Sequence, residues 1–305
     1  MATVLIGGGS GLMGSRLSQL LQDRGHEVRH FSRSTKPGSK YPTYTWNVQA
    51  GTYAEAAFEG VTHVINLAGA GIADAPWTAK RKQLIISSRT DSTRLLQEGI
   101  LQNGKSVKAF LAGSAIGYYG DRGENIMTED SAPGDAGFLA ESVKIWETAT
   151  QELTAATKLP TLTVRTGIVL STKGGALPKM MLPLNVLTST YFGRGQQWYS
   201  WVHIDDICQV FVRGVEDDTF RGVYNGVAPN PARNKTLAGA LIEASGKAAV
   251  LVPAPAFALK LALGEMSHTV LDSARVSAAK LEESGFSFQF PNLVEALRDL
   301  LNRKV

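Results

Sequence analysis

The chain has 305 residues, 44% hydrophobic and 19% charged, an ordinary globular composition that excludes collagen-like and disordered classes. Its 31 basic and 27 acidic residues leave a net charge of +4, spread too thinly to point to nucleic acid or a membrane as partner. The single cysteine, Cys208, excludes an internal disulfide framework and a multi-cysteine metal site, and it suits a reducing compartment.

Short β-branched runs alternate with longer helical patterns through the first half of the chain, the signature of parallel strands joined by crossover helices. No basic segment precedes Val4-Leu5-Ile6, so no signal peptide is expected to begin here. The predicted strands are Thr3–Ile6, Glu27–Phe31, Tyr44–Trp46, His63–Leu67, Ala109–Ala112 and Leu162–Arg165. Between them, apolar residues at three- and four-residue spacing predict helices over Leu12–Arg24, Thr78–Gln102 and Phe138–Thr157. Beyond Arg165 the chain is punctuated by Gly and Pro, with helices expected at Leu177–Leu187, Ile204–Val215, Thr236–Ala244, Ala274–Glu282 and Leu293–Asn302. The apolar stretch Ala248–Leu263 is broken by Pro253, Pro255 and Lys260 and is shorter than the roughly 20 residues of a membrane helix. The expected fold class is α/β. A Rossmann-type doubly wound parallel sheet spans 1–170, with 200–230 returning to it, and a smaller, mainly helical region spans 171–305. A soluble, cytoplasmic protein is expected.

The sharpest local signal is Gly7-Gly8-Gly9-Ser10-Gly11-Leu12-Met13-Gly14, which follows the first strand and opens the first helix. Glycine is needed where the backbone turns tightly and approaches a diphosphate, and the helix N-terminus offers unpaired N–H groups and a positive dipole end. Gly8, Ser10, Gly11, Leu12, Met13 and Gly14 are therefore the expected cofactor contacts. After the second strand, where an NAD site places an Asp or Glu for the ribose 2′-hydroxyl, the sequence reads Ser32-Arg33-Ser34. A guanidinium clamps a 2′-phosphate through forked, charge-assisted hydrogen bonds. Between Arg24 and Ala54, Arg24, Arg29, Arg33, Lys36 and Lys40 also outnumber the acidic Glu27. The expected cofactor is NADP(H).

His26-Glu27-Val28-Arg29-His30 matches the zinc-protease pattern H-E-x-x-H, which requires both histidines on one helix face. Gly25 ends the preceding helix and the segment alternates as a strand, so at about 3.3 Å per residue the imidazoles stand roughly 13 Å apart. They cannot share one metal. His63, His203 and His268 form no ligand spacing, and no metal is expected.

These residues resemble an extended short-chain dehydrogenase/reductase of the epimerase/dehydratase superfamily. Asn66-Leu67-Ala68-Gly69 is similar to the N-A-A-G-type turn that lines the cofactor in that family, which implies the same for Leu67, Ala68 and Gly69. Gly113-Ser114-Ala115-Ile116-Gly117-Tyr118-Tyr119-Gly120 resembles its Ser-Ala-x-x-Tyr-Gly segment, Trp201–Asp206 its Phe-Val-His-Val-Asp-Asp segment, and Asn225-Gly226 its following turn. Closer still is an atypical subfamily labelled epimerase family protein, sometimes cell-division inhibitor, with a C-terminal domain of unknown function, here 249–301. The stretches that carry this are Ala75-Pro76-Trp77 through Ser88-Arg89, Arg165–Leu170, Gly174–Leu177, Gln197-Trp198 and Val252–Pro255. That resemblance implies that Arg89 and Arg165 reach the cofactor. It also implies a homodimer through the two long helices.

In standard members a Tyr-x-x-x-Lys pair moves the proton, because a lysine ammonium lowers the tyrosine pKa from its usual value of about 10. With Glu147 aligned to the glutamate ending that motif, the two positions fall on Leu139 and Val143. Neither carries a proton, and no tyrosine in the chain is followed four residues later by lysine. Lys144 is one residue out of register, about 100° around a helix. Ser114 stands where the family orients a carbonyl or hydroxyl substrate beside the cofactor, and Tyr118 or Tyr119 offers a phenol from the same loop. The alternative is that the two tyrosines pack under the cofactor loop. Arg194 is an isolated candidate for a second diphosphate. Two readings stand: an NADP(H)-dependent oxidoreductase or epimerase-like enzyme acting on an unidentified small molecule, and a non-catalytic NADP(H) sensor.

Overall fold

The computed structural model describes residues 1–35 and 38–303, so Lys36 lies outside the described residues. Eight strands form one sheet: β1 (Thr3–Gly7), β2 (Glu27–Ser32), β3 (Thr43–Asn47), β4 (Thr52–Tyr53), β5 (His63–Asn66), β6 (Ala109–Ala115), β7 (Thr161–Thr166) and β8 (Gly222–Gly226). Their spatial order is β8-β7-β6-β5-β1-β2-β3-β4, parallel throughout except for the β3–β4 hairpin. The order reverses at β1, which lies between β2 and β5. A ligand crevice is expected there, outside the C-terminal ends of the strands.

Alternation along each buried strand feeds two cores. Val4, Ile6, Ile65 and Leu111 enter one, which includes Leu17 and Leu21 of helix α1 (Leu12–Asp23). Leu5, Val64 and Phe110 enter the other, with Leu95 and Leu96 of α2 (Ala79–Asn103) and Leu153 of α3 (Phe138–Thr157). A strand buried on both faces reads as a continuous apolar run rather than an alternating one, which is why these strands are visible in the sequence. Helix α4 (Ile204–Glu216) contributes Ile207, Phe211 and Val215 to the α1 side.

The N-terminal elements follow the sequence reading closely, and α3 has the predicted bounds. Three expectations are corrected. The single helix expected over Leu177–Leu187 is an α-helix over Ala176–Met181 followed by a 3₁₀ segment over Leu182–Val186. Pro183 lacks the N–H an α-helix would use, and Leu187 turns the chain out at φ 54. The helix expected over Ala274–Glu282 begins only at Ala279, because Arg275–Val276 pairs with Ile126–Met127. Asn225-Gly226 is not a turn but the end of β8, pairing with Arg165 and Thr166. The later part of the chain also contains short strand pairs, Thr188–Phe192 with Val250–Ala254 and Trp198–Tyr199 with Ala232–Arg233.

The C-terminal helix (Leu293–Asn302) lies on the α1 side, with Leu297 and Leu300 in its core. Asp205, at the start of α4, accepts from Arg16 of α1 at 2.6 and 3.0 Å and from Arg303 at 2.7 Å. His203 Nδ1 accepts the Asp205 N–H, which leaves Nε2 to donate to Asp299 at 3.1 Å. No helix is long and apolar enough to cross a membrane among the described residues.

Burial lowers the pKa of His30, His63 and His203 to about 4 from an ordinary value of 6.5. Each folds neutral, so its contribution to stability is complete above about pH 6.5 and is lost as pH falls toward 4. The urea midpoint should be level from pH 8 to 7 and fall steadily from pH 6.5 to 4.5. A level midpoint down to pH 4.5 would contradict this assignment.

Candidate functional site

The glycine loop crosses the ends of β1 and β5 at the point of strand reversal. Gly8 has φ +82, and a Cβ there would lie 2.7 Å from the Leu67 carbonyl carbon and 2.8 Å from the Ala68 nitrogen. A Cβ on Gly14 would meet Gly8 O and lie 2.7 Å from Gly9 Cα. The Leu67 N–H donates to Gly7 O at 2.8 Å, so the two loops run side by side. Asn66 fixes the second loop, accepting from the Ala68 N–H and donating to Ser92 and Thr93 of α2. Gly11 is the N-cap of α1 and carries no capping side chain, which leaves the first-turn N–H groups to an anion. Ser10 is exposed at the loop apex, and Leu12 packs near Gly174 and Gly175. The Met13 carbonyl is turned toward Cys208.

Arg33 is exposed just past β2 and has no ion-pair partner among the described residues. It lines a cavity of about 310 Å³ with Thr45, Trp46, Asn47 and Tyr53 of the β3–β4 hairpin. Ser32 accepts weakly from the Ser34 N–H at 3.5 Å. The broader basic field expected here shrinks, because Arg24 pairs with Glu216 and Arg29 with Glu27 and the Glu59 carbonyl. Lys40 donates to Gln19. His26 and His30 have separate partners, Glu216 and Ser18, and His30 lies within β2.

Arg89 lies against Gly69, whose added Cβ would lie 2.9 Å from Arg89 Cζ. Its Nη1 donates to the carbonyls of Ala70 and Ile85 at 3.0 and 2.8 Å, and it has no carboxylate partner among the described residues. Burial first, then the neighbouring Arg81 charge, lowers its pKa to about 10. A desolvated cation beside the Leu67–Gly69 turn suits an anionic ligand.

The residues expected to do chemistry are mostly committed elsewhere. On β6, β7 and β8, Ser114 lies directly opposite Arg165, and Arg165 opposite Asn225. Glu147 of α3 takes Arg165 through both oxygens, at 2.8 and 2.9 Å, and also accepts the Ser114 hydroxyl at 2.6 Å. Arg165 Nη1 donates to the Tyr119 hydroxyl at 3.0 Å and to the Glu129 carbonyl at 3.1 Å. Tyr119 in turn donates to Asn225 Oδ1 at 2.6 Å. The Glu129 carboxylate accepts the Asn225 N–H at 2.8 Å. Ser114, Glu147 and Arg165 are each at most 5% exposed and Tyr119 is fully buried.

Three of the expected residues already have partners within the protein. Arg165 is held by Glu147, Tyr119 and Glu129, with its guanidinium 3.5 Å from the Tyr118 ring centre. Burial alone would lower its pKa, but the Glu147 carboxylate outweighs this and raises it. Tyr119 is no acid or base near neutrality, because burial pushes its phenol up to about 12. Ser114 directs its hydroxyl hydrogen to Glu147. Tyr118, half-buried, is the phenol left at this turn. Leu139 Cβ and Val143 Cγ2 would each lie 3.7 Å from a Cβ at Gly117, so the two relay positions do border this turn and offer it only hydrocarbon. Arg194 is exposed in the turn after Thr188–Phe192.

In the sequence Glu147 stands out only as the glutamate that ends the relay motif, and the parts of Asn225 and Glu129 in this network are not legible there. A signal for Glu147 was present: Ala140, Val143, Glu147 and Thr150 are buried on one face of α3, and an acid on such a stripe needs a cation. Arg165 is the one in the adjoining strand.

Residues 4–225 match the family described as NAD dependent epimerase/dehydratase, and residues 254–300 match a domain of unknown function, DUF1731. Epimerase family protein YfhF from Bacillus subtilis is 36% identical over 295 residues, covering 96% of both chains. The crystal structure of human epimerase family protein SDR39U1 with NADPH is 30% identical, with a TM-score of 0.87 over 99% of this chain and 100% of that one. A nucleoside-diphosphate sugar epimerase structure from Corynebacterium glutamicum is 31% identical, with a TM-score of 0.79 over 98% of this chain and 58% of that one.

Glu147→Gln would leave a buried guanidinium without its anion. Breaking such a pair costs about 3–5 kcal/mol, so urea unfolding at pH 7 should show a loss of that size. A loss below about 1 kcal/mol would contradict the network.

Proposed function

The chain belongs to the NAD dependent epimerase/dehydratase family, and from that premise we propose that it is an NADP(H)-dependent oxidoreductase acting on a small carbonyl or hydroxyl compound without the family's Tyr–Lys pair as proton donor. The observation that carries this reading is a glycine loop with no room for a Cβ at Gly8 or Gly14, together with Leu139 and Val143 where the family's relay pair would stand. The α1 N-terminus, with Gly8 and Gly14 admitting the backbone approach, holds the diphosphate. Arg89 adds positive charge from the Leu67–Gly69 turn, and Arg33, with no ion-pair partner among the described residues, selects the 2′-phosphate. That a human relative of 30% identity was crystallised with NADPH supports the same cofactor here.

Bound NADPH supplies a hydride. Leu139 and Val143, which border Gly117 at the relay positions, carry no proton, so the balancing proton comes from water in the cleft. This favours an acceptor whose developing negative charge is delocalised, such as a conjugated carbonyl or quinone, over one that needs a positioned acid. Tyr118, spread over the Arg165 guanidinium, gives such an acceptor a flat surface. We extend the reading to a homodimer through the outer faces of α2 and α3, where Leu84, Leu101 and Ile145 are exposed. A monomer by sedimentation at micromolar concentration would remove that part.

A second reading, a non-catalytic NADP(H) sensor, is favoured by the Arg16–Asp205–Arg303 link. It ties the helix that begins at the glycine loop to the end of the C-terminal helix. The two readings separate by activity: NADPH oxidation with aldehydes or quinones supports the enzyme, and tight binding without turnover supports the sensor.

Arg33→Ala should weaken NADPH binding by about 1.5–3 kcal/mol, the scale of a hydrogen bond to a charged group, and leave NADH binding nearly unchanged in calorimetric titration. Equal losses for both cofactors would refute the 2′-phosphate role.

A further inference from the structure

Two stretches of the chain are uncharged inside and begin and end on a cation: Lys179 to Arg194, and Lys247 to Lys260. Neither contains an Asp or a Glu. They fold side by side. The strand Thr188–Phe192 pairs with Val250–Ala254, the Val250 N–H donates to Leu187 O at 3.0 Å, and Lys247 Nζ donates to Leu184 O at 3.4 Å. At the far end of this pair a Cβ on Gly193 would lie 3.5 Å from Ala256 Cβ, where the helix Ala256–Leu263 begins.

Most of the exposed large apolar side chains among the described residues lie on this strip. Leu182, Val186 and Leu187 come from the 3₁₀ segment and the residue that ends it, and Val250, Leu251 and Val252 from the strand. The helix Ala256–Leu263 is apolar at every position but Lys260 and buries none of its residues. Phe257 is 75% and Leu261 87% exposed, one turn apart. A helix that is apolar all round belongs in a core or in lipid, and a large exposed apolar patch marks an interaction surface.

We infer that this strip docks on an anionic bilayer surface, with Phe257 and Leu261 entering the headgroup boundary and the four cations meeting lipid phosphates. The inference is independent of the NADP(H) reading. The charge excess, thin over the whole chain, is concentrated here. Arg194 and Lys260 are exposed and have no ion-pair partner among the described residues, and Lys179 and Lys247 donate only to carbonyls. The acids that flank the second stretch, Glu243 and Glu265, are taken by Arg298 and Lys82. Apolar side chains rimmed by lysine and arginine are the composition of an interfacial element, since the long stems lie along apolar surface while their heads reach outward. A second copy of the chain suits this face less well, because a two-fold contact sets a patch against itself and would bring like charges together. Pro253 also removes an N–H from the strand's free edge, which makes it a poor template for pairing with another chain.

The test is co-sedimentation of the purified chain with vesicles of phosphatidylcholine alone and of phosphatidylcholine mixed with phosphatidylglycerol, at low and at high salt. The chain should bind the anionic vesicles at least tenfold more tightly than the neutral ones, and salt should weaken that binding. Phe257→Ser with Leu261→Ser, at exposed positions, should cut anionic binding at least tenfold and leave the thermal midpoint unchanged. Arg194→Gln with Lys260→Gln should abolish the preference for the anionic vesicles. No binding to anionic vesicles, equal binding to both kinds, or full binding by the Phe257→Ser, Leu261→Ser variant would overturn the inference. Sedimentation equilibrium of the same variant decides for the rival occupant: a parent dimer that this variant turns into monomer, with no vesicle binding by the parent, would give the face to a second copy and overturn the membrane assignment.

Discussion

A charge buried between the sheet and α3 sets the terms for everything above it. Strand alternation places Ser114, Arg165 and Asn225 side by side across β6, β7 and β8, on the face opposite Leu111, Val164 and Tyr224 of the α1-side core. A guanidinium in that position is tolerable only if an anion meets it. Glu147 supplies that anion through a two-point contact and draws in the Ser114 hydroxyl, while Tyr119 and Glu129 take the remaining nearby donors. The network fixes the relative position of three strands, one helix and the turn that follows β6.

The price is chemical. Groups that look reactive in the sequence are consumed as structure, and the two positions that could have replaced them are Leu139 and Val143. The cofactor end of the crevice shows the opposite economy, with its donors left open: the first turn of α1 has only a glycine cap, and among the described residues Arg89 donates only to carbonyls and Arg33 has no hydrogen-bond partner. In the proposed function one end of the crevice receives an anion, and the other presents Leu139 and Val143. That contrast favours hydride exchange with an undemanding acceptor over acid–base chemistry on a sugar.

Much of this was legible before the structure. Two-sided burial makes the central strands continuous apolar runs, and the Gly8–Gly14 spacing marks their first crossover, so the Rossmann half follows from the residues. The missing relay was also readable, because Leu139 and Val143 need only the right register on α3. Partners were less legible. Ser114 and Tyr119 have the same identities whether they face a substrate or a buried ion pair, and only the cross-strand register decides between these. The same applies to Arg29, which matches Arg33 in type yet is spent on Glu27. The C-terminal half was harder because its elements are short and held by tertiary pairing. Arg275 and Val276 read as helix from spacing but are drawn into a strand by Ile126 and Met127, and Pro183 divides a helix whose apolar pattern runs straight through it.

In the proposed function the open donors form a site for a dinucleotide carrying a 2′-phosphate, which calorimetric titration of the purified chain with NADPH, NADP⁺, NADH and NAD⁺ puts to the test. One NADPH or NADP⁺ bound per chain, each at least tenfold tighter than its counterpart without the phosphate, is the predicted result. Binding of none of the four, or equal affinity with and without the 2′-phosphate, would contradict it.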